Sequence, residues 1–240
     1  MNRKSIRKPI IVIVMPAYNA EKTLKRTYED IPKGVADKVI LVDDGSRDKT
    51  VKLAKKLNIK TFIHPQNRGY GGNQKTCYTL ALNEGADIVV MIHPDYQYDS
   101  SLTYDLVKPI IDNRFDIMLG SRIRTRKESL EGGMPFYKYI SNRFLTIIEN
   151  IFLGQNLSEY HTGFRAFDKR VLKKIPFHRF SDDFVFDQEI LIYSIKNNFK
   201  IGEIPVPVRY LADSSSINFY RSVKYGIMTL FCLLKSFFVS

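Results

Sequence analysis

Four short segments in the first hundred residues each end in polar residues of a distinct kind: PIIVIVMPAYN, KVILVDDGS, NRGYGGNQ and DIVVMIHPDYQ. A strand that stops in a carboxylate, a small residue or a glycine loop is how an open α/β sheet builds a nucleotide crevice at its carboxyl edge. Strand-like runs near residues 9–15, 38–43, 59–64, 87–92 and 116–120 alternate with helix-like stretches near 20–30, 48–57, 72–84 and 101–113. Such alternation predicts βαβ units, hence an α/β fold with a mainly parallel central sheet flanked by helices.

The pattern breaks at 121–134, SRIRTRKESLEGGM, whose charge and glycine pair read as a mobile loop. Residues 135–153 then read as an aromatic-rich helix with Pro135 at its first position. After the segment EYHTGFRAF come a helical stretch near 183–197 and a strand near 200–208, whose Pro205 and Pro207 suit a sheet edge. The division expected is a domain over 1–212 and a C-terminal helical tail over 213–240. That tail mixes aromatics and aliphatics with Arg221, Lys224 and Lys235, a pattern made both by a helix packing on its own domain and by one lying in a membrane interface.

At 240 residues with 44% hydrophobic content, the chain suits one α/β domain with an appendage. Cys77 and Cys232 form neither a disulfide framework nor a zinc site, which suggests a reducing, cytoplasmic setting. Arg3, Lys4, Arg7 and Lys8 before an apolar run imitate a signal peptide, but the run is short and enters PAYN directly, so a buried first strand fits better. The formal charge of +12 calls for an anionic partner or for solubility alone. With no zinc-finger spacing, RNP signature or helix-turn-helix, a phosphate substrate or an anionic membrane surface ranks above nucleic acid.

Several residues carry candidate chemistry. Asp95 follows the buried-looking run DIVVMIH, and with the amide oxygen of Gln97 it offers oxygen ligands to Mg²⁺ or Mn²⁺ beside a diphosphate. Asp95 alone also reads as a helix cap. Asp43 and Asp44 end the second run before Gly45 and Ser46, where one carboxylate reads a base or ribose and the other caps a helix. The loop Asn67–Gly72, with Gly71 and the nearby Lys75, permits close backbone approach to phosphate, or is simply a turn. Arg122 leaves the fifth strand able to pair with a diphosphate bidentately, or sits solvated in a loop. His93 and His161 are each open to a structural or a catalytic reading.

In this order, MPAYNAEKTL, VDDGSRDKT, NRGYGGNQ, HPDYQ, GSR and HTGFRAF resemble family 2 glycosyltransferases of the GT-A fold, particularly dolichyl-phosphate mannosyltransferases and polyprenyl-phosphate glycosyltransferases. The resemblance spans about residues 9–210. It implies a nucleotide-diphosphate sugar, GDP- or UDP-linked, held by Pro16, Ala17, Tyr18 and Asn19 and by Asp43 and Asp44, with Arg122 near the phosphates. Asp95 and Gln97 match the last Asp of the family's DxD metal motif and the following Gln, while His93 stands in place of the first Asp. The basic pair that the mannosyltransferases carry after the final strand is not cleanly matched, Arg209 lying upstream of it.

The family implies inverting transfer, with metal and Arg122 neutralising the leaving diphosphate. A polyprenyl phosphate acceptor needs no general base. A saccharide hydroxyl does, and Asp187 or Glu189 in FVFDQEI is then the candidate, although residues two apart do not share a helix face. Basic residues Arg124, Arg126 and Lys127 could attract a lipid phosphate. The tail or a membrane-protein partner would bring the enzyme to the cytoplasmic face of a membrane. The rival readings are a binding homologue that has lost turnover through His93, and a nucleotidyltransferase, whose basic Gly-rich loop after the first strand is absent here.

Overall fold

The computed structural model describes residues 7–123, 125–207 and 219–238. Among them, strands β1 (Ile11–Ala17), β2 (Lys38–Asp43), β3 (Lys60–Ile63), β4 (Ile88–Met91), β5 (Ile117–Ser121), β6 (Arg165–Asp168) and β7 (Ile201–Pro205) form one seven-stranded sheet in the order β3-β2-β1-β4-β6-β5-β7. Helices are α1 (Leu24–Glu29), α2 (Thr50–Lys56), α3 (Tyr70–Asn83), α4 (Thr103–Ile111), α5 (Arg126–Glu131), α6 (Phe136–Leu153), α7 (Lys169–Lys174), α8 (Phe186–Lys196) and α9 (Phe219–Phe238).

Because side chains alternate along a strand, β1 sends Ile11, Ile13 and Met15 into one core and Val12 and Val14 into the other. The first core joins Leu24, Ala54, Leu106, Val107 and Ile110 from α1, α2 and α4. The second joins Cys77, Tyr78 and Ala81 from α3, Val171 and Leu172 from α7, and Phe186, Ile190 and Leu191 from α8. Burial on both faces explains why the central strands read as continuous apolar runs.

All ladders are parallel except those of β6, which runs antiparallel to both β4 and β5. Strand β6 is not among the expected strands because RAFD is only four residues, too short to show alternation. The expected edge strand is β7, paired with β5 alone. The expected loop at 121–134 contains α5, capped by Thr125, whose side chain accepts from the Glu128 amide. Pro135 sits at the cap of α6 rather than inside its first turn.

The tail helix α9 packs on α6 and α8. Leu233 is buried there, the Tyr225 hydroxyl meets His161 Nδ1 at 2.8 Å, and Lys196 donates to the Ser236 carbonyl. Arg124 and Arg209 lie outside the described residues.

Candidate active site

The carboxyl ends of β1, β2 and β4, which are adjacent in the sheet, bring the PAYN, DDGS and HPDYQ segments to one edge. Pro16 and Ala17 finish β1, and the Asp44 amide donates to the Ala17 carbonyl at 2.8 Å. Asn19 takes a left-handed φ of 51°, which Asn tolerates. Its amide donates to Ser46 Oγ at 2.8 Å and its Oδ1 accepts from the Arg47 amide at 2.9 Å, so the turn is stitched to the β2–α2 loop. Tyr18 stands half exposed at 51%, directly after the end of β1.

The two aspartates divide their work. Asp44 accepts from His64 Nδ1 at 2.7 Å and from the Arg68 and Gly69 amides at 2.9 and 3.1 Å, so it builds the loop. Asp43 Oδ2 accepts from the Gly45 and Ser46 amides at 3.1 and 2.9 Å, whereas its buried Oδ1 accepts nothing among the described residues. A buried oxygen without a donor is costly, and a ligand N–H or O–H would satisfy it.

Gly71 and Lys75 take a different place from the phosphate loop expected of them. The Gly71 amide donates to the Asp182 carbonyl at 2.8 Å, and a Cβ on neighbouring Gly69 would fall 2.7 Å from that same carbonyl oxygen. Lys75 donates to the Phe180 carbonyl and to Asp182 Oδ1, the latter at 2.8 Å. The glycines thus admit protein backbone at 181–182, and the lysine charge is neutralised by Asp182.

Beyond β4, Asp95 Oδ1 accepts from the Gln97 amide at 3.0 Å, forming a tight turn with Tyr96 at φ 61°. His93 is buried, stacked on Tyr70 with ring centroids 5.3 Å apart, and its Nε2 lies 3.2 Å from the Tyr70 hydroxyl. Burial, reinforced by the Arg165 charge and opposed by Asp187, pushes the His93 pKa down to about 4, so the ring is neutral. A Cβ on Gly163 would lie 2.6 Å from the ring, so glycine is what lets His93 sit there. No group of three or more His, Cys, Asp or Glu among the described residues converges on a metal-binding point. Asp95 and Gln97 carry oxygen donors of the kind a hard divalent ion takes, and an ion there would need most of its ligands from a bound diphosphate and water, while His93 Nε2 lies 3.2 Å from the Tyr70 hydroxyl.

Arg122 is buried and already paired. Its guanidinium donates to Glu159 and, at 2.6 Å, to the His161 carbonyl, and it lies 5.4 Å from the Tyr98 ring. Asn142 of α6 also donates to Glu159 at 2.9 Å. Half-buried Lys138 has its pKa lowered, first by burial and then by the Arg122 charge, which puts two cations in this corner.

Asp187 and Glu189 diverge as their spacing requires. Asp187 Oδ2 accepts from the Tyr70 hydroxyl at 2.8 Å and lies 3.4 Å from Arg165, and its Oδ1 accepts from Gln74 at 3.0 Å. Burial and the Asp187 charge hold the Tyr70 pKa well above its usual value, so Tyr70 remains a donor. Glu189 turns away and accepts from the Ser181 amide at 2.6 Å. Sequence reasoning missed Tyr70, Gln74, Glu159 and Arg165. Glu159 and Arg165 stood in the quoted segment EYHTGFRAF, but nothing in their spacing named Arg122 or Asp187 as partners.

A sequence profile described as glycosyl transferase family 2 matches residues 12–176. The chain belongs to that family. This family 2 glycosyltransferase is 31% identical over 243 residues to UDP-N-acetylglucosamine–dolichyl-phosphate N-acetylglucosaminyltransferase of Methanococcus voltae, covering 94% of this chain and 96% of the relative. It is 27% identical to the low-salt glycan biosynthesis hexosyltransferase Agl6 of Haloferax volcanii, over 82% of this chain and 47% of that protein. Among solved structures, glucosyl-3-phosphoglycerate synthase from Mycobacterium tuberculosis in complex with UDP superposes with a TM-score of 0.75 at 19% identity, covering 97% of this chain and 81% of that one. The same enzyme with Mn²⁺ and UDP-glucose superposes at 0.74 with 20% identity, over 95% and 79% of the two chains. The family 2 enzyme thus has the GT-A fold that its motifs led one to expect, and it is a glycosyltransferase.

Proposed function

We propose that this enzyme transfers a sugar from a UDP-sugar to a polyprenyl phosphate, with inversion at the anomeric carbon. The observation that carries the reading is the state of the two carboxylates nearest the acceptor end. Asp187 holds both oxygens in contacts from Tyr70, Gln74 and Arg165, and Glu189 faces Ser181. Taking a proton from a sugar hydroxyl would require Asp187 to break those contacts, whereas an acceptor phosphate arrives already anionic. Half-buried Lys138, beside the Arg122–Glu159 pair, gives this corner a net positive charge that suits such an anion. The Methanococcus voltae relative, named for a UDP-sugar donor and a dolichyl-phosphate acceptor, supports both halves of the reading.

On the donor side, Asp43 Oδ1 would accept from the base or ribose, and Tyr18 would cover the base. A divalent ion, Mg²⁺ or Mn²⁺, held through Asp95 and Gln97 would neutralise charge on the leaving diphosphate. Arg122 contributes a fixed positive charge, oriented by Glu159. Asp187 then keeps Tyr70, Gln74 and Arg165 in register.

The test combines a panel of UDP- and GDP-sugars, a polyprenyl phosphate or a saccharide acceptor, and metal or chelator, with lipid-linked product as the readout. Transfer confined to saccharide hydroxyls would sink the reading. Asp187→Asn sharpens it. Transfer to the phosphate acceptor per folded molecule, with the folded fraction measured by circular dichroism, should fall less than about tenfold, whereas loss of a general base typically costs about 10²–10⁴.

A further inference from the structure

Helix α6 buries Asn142, Leu145, Thr146 and Glu149 and exposes Ile140, Phe144, Ile147 and Ile151 on its opposite face, Ile151 at 73%. Helix α9 does the same. It buries Thr229, Leu233 and Ser236 and exposes Val223, Ile227, Phe231 and Leu234, with Ile227 at 62% and Phe231 at 59%. The two helices pack against each other, with Leu145 against Gly226. Two outward apolar stripes on adjacent helices exceed what scattered surface aliphatics explain.

The charges beside the stripes have one sign. On α6, Lys138 lies at the inner end beside Arg122 and Arg143 donates to the Ser158 carbonyl at 2.8 Å, and on α9 lie Arg221, Lys224 and Lys235. The sole acid on either helix, Glu149, is fully buried beside His161. Lys224 meets Asp183 at 2.9 Å, but both side chains are exposed, so the pair is weak. No helix among the described residues is long and apolar enough to cross a membrane.

We propose that α6 and α9 together form a platform that lies on an anionic lipid bilayer, with the apolar stripes in the headgroup boundary and the basic residues on lipid phosphates. A second copy of this chain answers the charge less well, because a two-fold contact would bring the Arg221, Lys224 and Lys235 sides of two α9 helices together, where Asp183 beside Lys224 offsets only part of the like charge. The platform reaches the active site through its inner faces. Asn142 donates to Glu159, the partner of Arg122, and Tyr225 accepts from Gln188 at 2.6 Å, next in sequence to Asp187. The inference deepens the lipid-acceptor reading and rests on it for its purpose.

Co-sedimentation of the full chain with phosphatidylcholine vesicles, with and without about a third phosphatidylglycerol, reads the docking directly. The expected result is binding to the anionic vesicles that weakens severalfold in about 0.5 M salt. Ile140→Ser/Phe144→Ser/Ile147→Ser and, separately, Ile227→Ser/Phe231→Ser should each lower it about tenfold or more. Those positions face outward, and circular dichroism and thermal midpoint identify any variant that misfolds. Arg221→Gln/Lys235→Gln should reduce the preference for anionic lipid and its salt dependence.

Absence of vesicle binding, or binding indifferent to the α6 set, would overturn the platform. So would a wild-type dimer in light scattering that the serine sets convert to monomer. Transfer to a short, water-soluble prenyl phosphate separates the two readings. If it proceeds without vesicle binding, the acceptor reading stands and the platform falls. Vesicle binding with no transfer to any prenyl phosphate leaves the docking face standing and removes the lipid acceptor.

Discussion

The two sides of the crevice are made of different material. Around the ends of β1 and β2, polar side chains hold backbone: Ser46 on the Asn19 amide, Asp43 on Gly45 and Ser46, Asp44 on Arg68 and Gly69. Around β5, β6 and α8, charges are buried against charges, Arg122 with Glu159 and Arg165 with Asp187. The first side buries carboxylates too, but backbone amides hold them, and Asp43 Oδ1 is left without a donor among the described residues. The second depends on partners that leave an uncompensated buried charge if removed. Damage should therefore appear as lost affinity on the first side and as lost stability on the second.

The largest effect expected is from Arg165→Met. It leaves the Asp187 carboxylate without its cation and strips donors from the Tyr160 and Thr162 carbonyls, so urea denaturation should show a loss of about 3–5 kcal/mol. Nucleotide affinity of the folded fraction should be unchanged. Parallel loss of both would break the contrast. Asp43→Asn comes next. Replacing a charged acceptor of two amides and a ligand proton should weaken nucleotide binding about 10- to 100-fold by calorimetry, with the thermal midpoint of the apo protein shifted little.

The smallest effect is expected from Glu84→Gln, a control outside both sides. Hydrogen bonds from Lys38 and Lys60 hold the Glu84 pKa down to about 2. A depressed carboxylate contributes stability above its unfolded pKa of about 4.3 and loses it as pH falls toward 2. The three-residue cluster lies at the surface, so the midpoint difference between wild type and variant at pH 7 should be slight and should vanish in acid. A large difference at pH 7 would show that surface charge matters more here than the buried pairs do.

The same contrast explains what could be read in advance. The strands β1, β2, β4 and β5 are apolar runs ended by polar residues, so sheet, crevice edge and the PAYN and DDGS turns were legible from local pattern. The turn at Asp95–Gln97 lies within three adjacent residues, and a tight turn records its geometry there, although its geometry alone does not assign the pair to a metal. The partnership of Arg122 with Glu159 spans 37 positions and that of Gln74 with Asp187 spans 113, and neither leaves a local trace. Lys75 and Gly71 misled for a related reason. A glycine loop before a helix looks alike whether it admits a phosphate or, as here, the backbone of residues 181–182.

Arg165 stands opposite Met91 on one side and Leu119 on the other, at the start of a strand clasped by two neighbours. Because that strand runs against its neighbours, its first residue emerges at the very edge where theirs finish. Helix α8, which belongs to no sheet, is thus gauged through Asp187 against a stiff interior position of the molecule. Arg165 also donates to the Asp187 backbone carbonyl at 3.0 Å, and Tyr70 and Gln74 hold the same carboxylate, so a shift of α8, or of α9 behind it, would have to strain all of these contacts before the carboxylate moved.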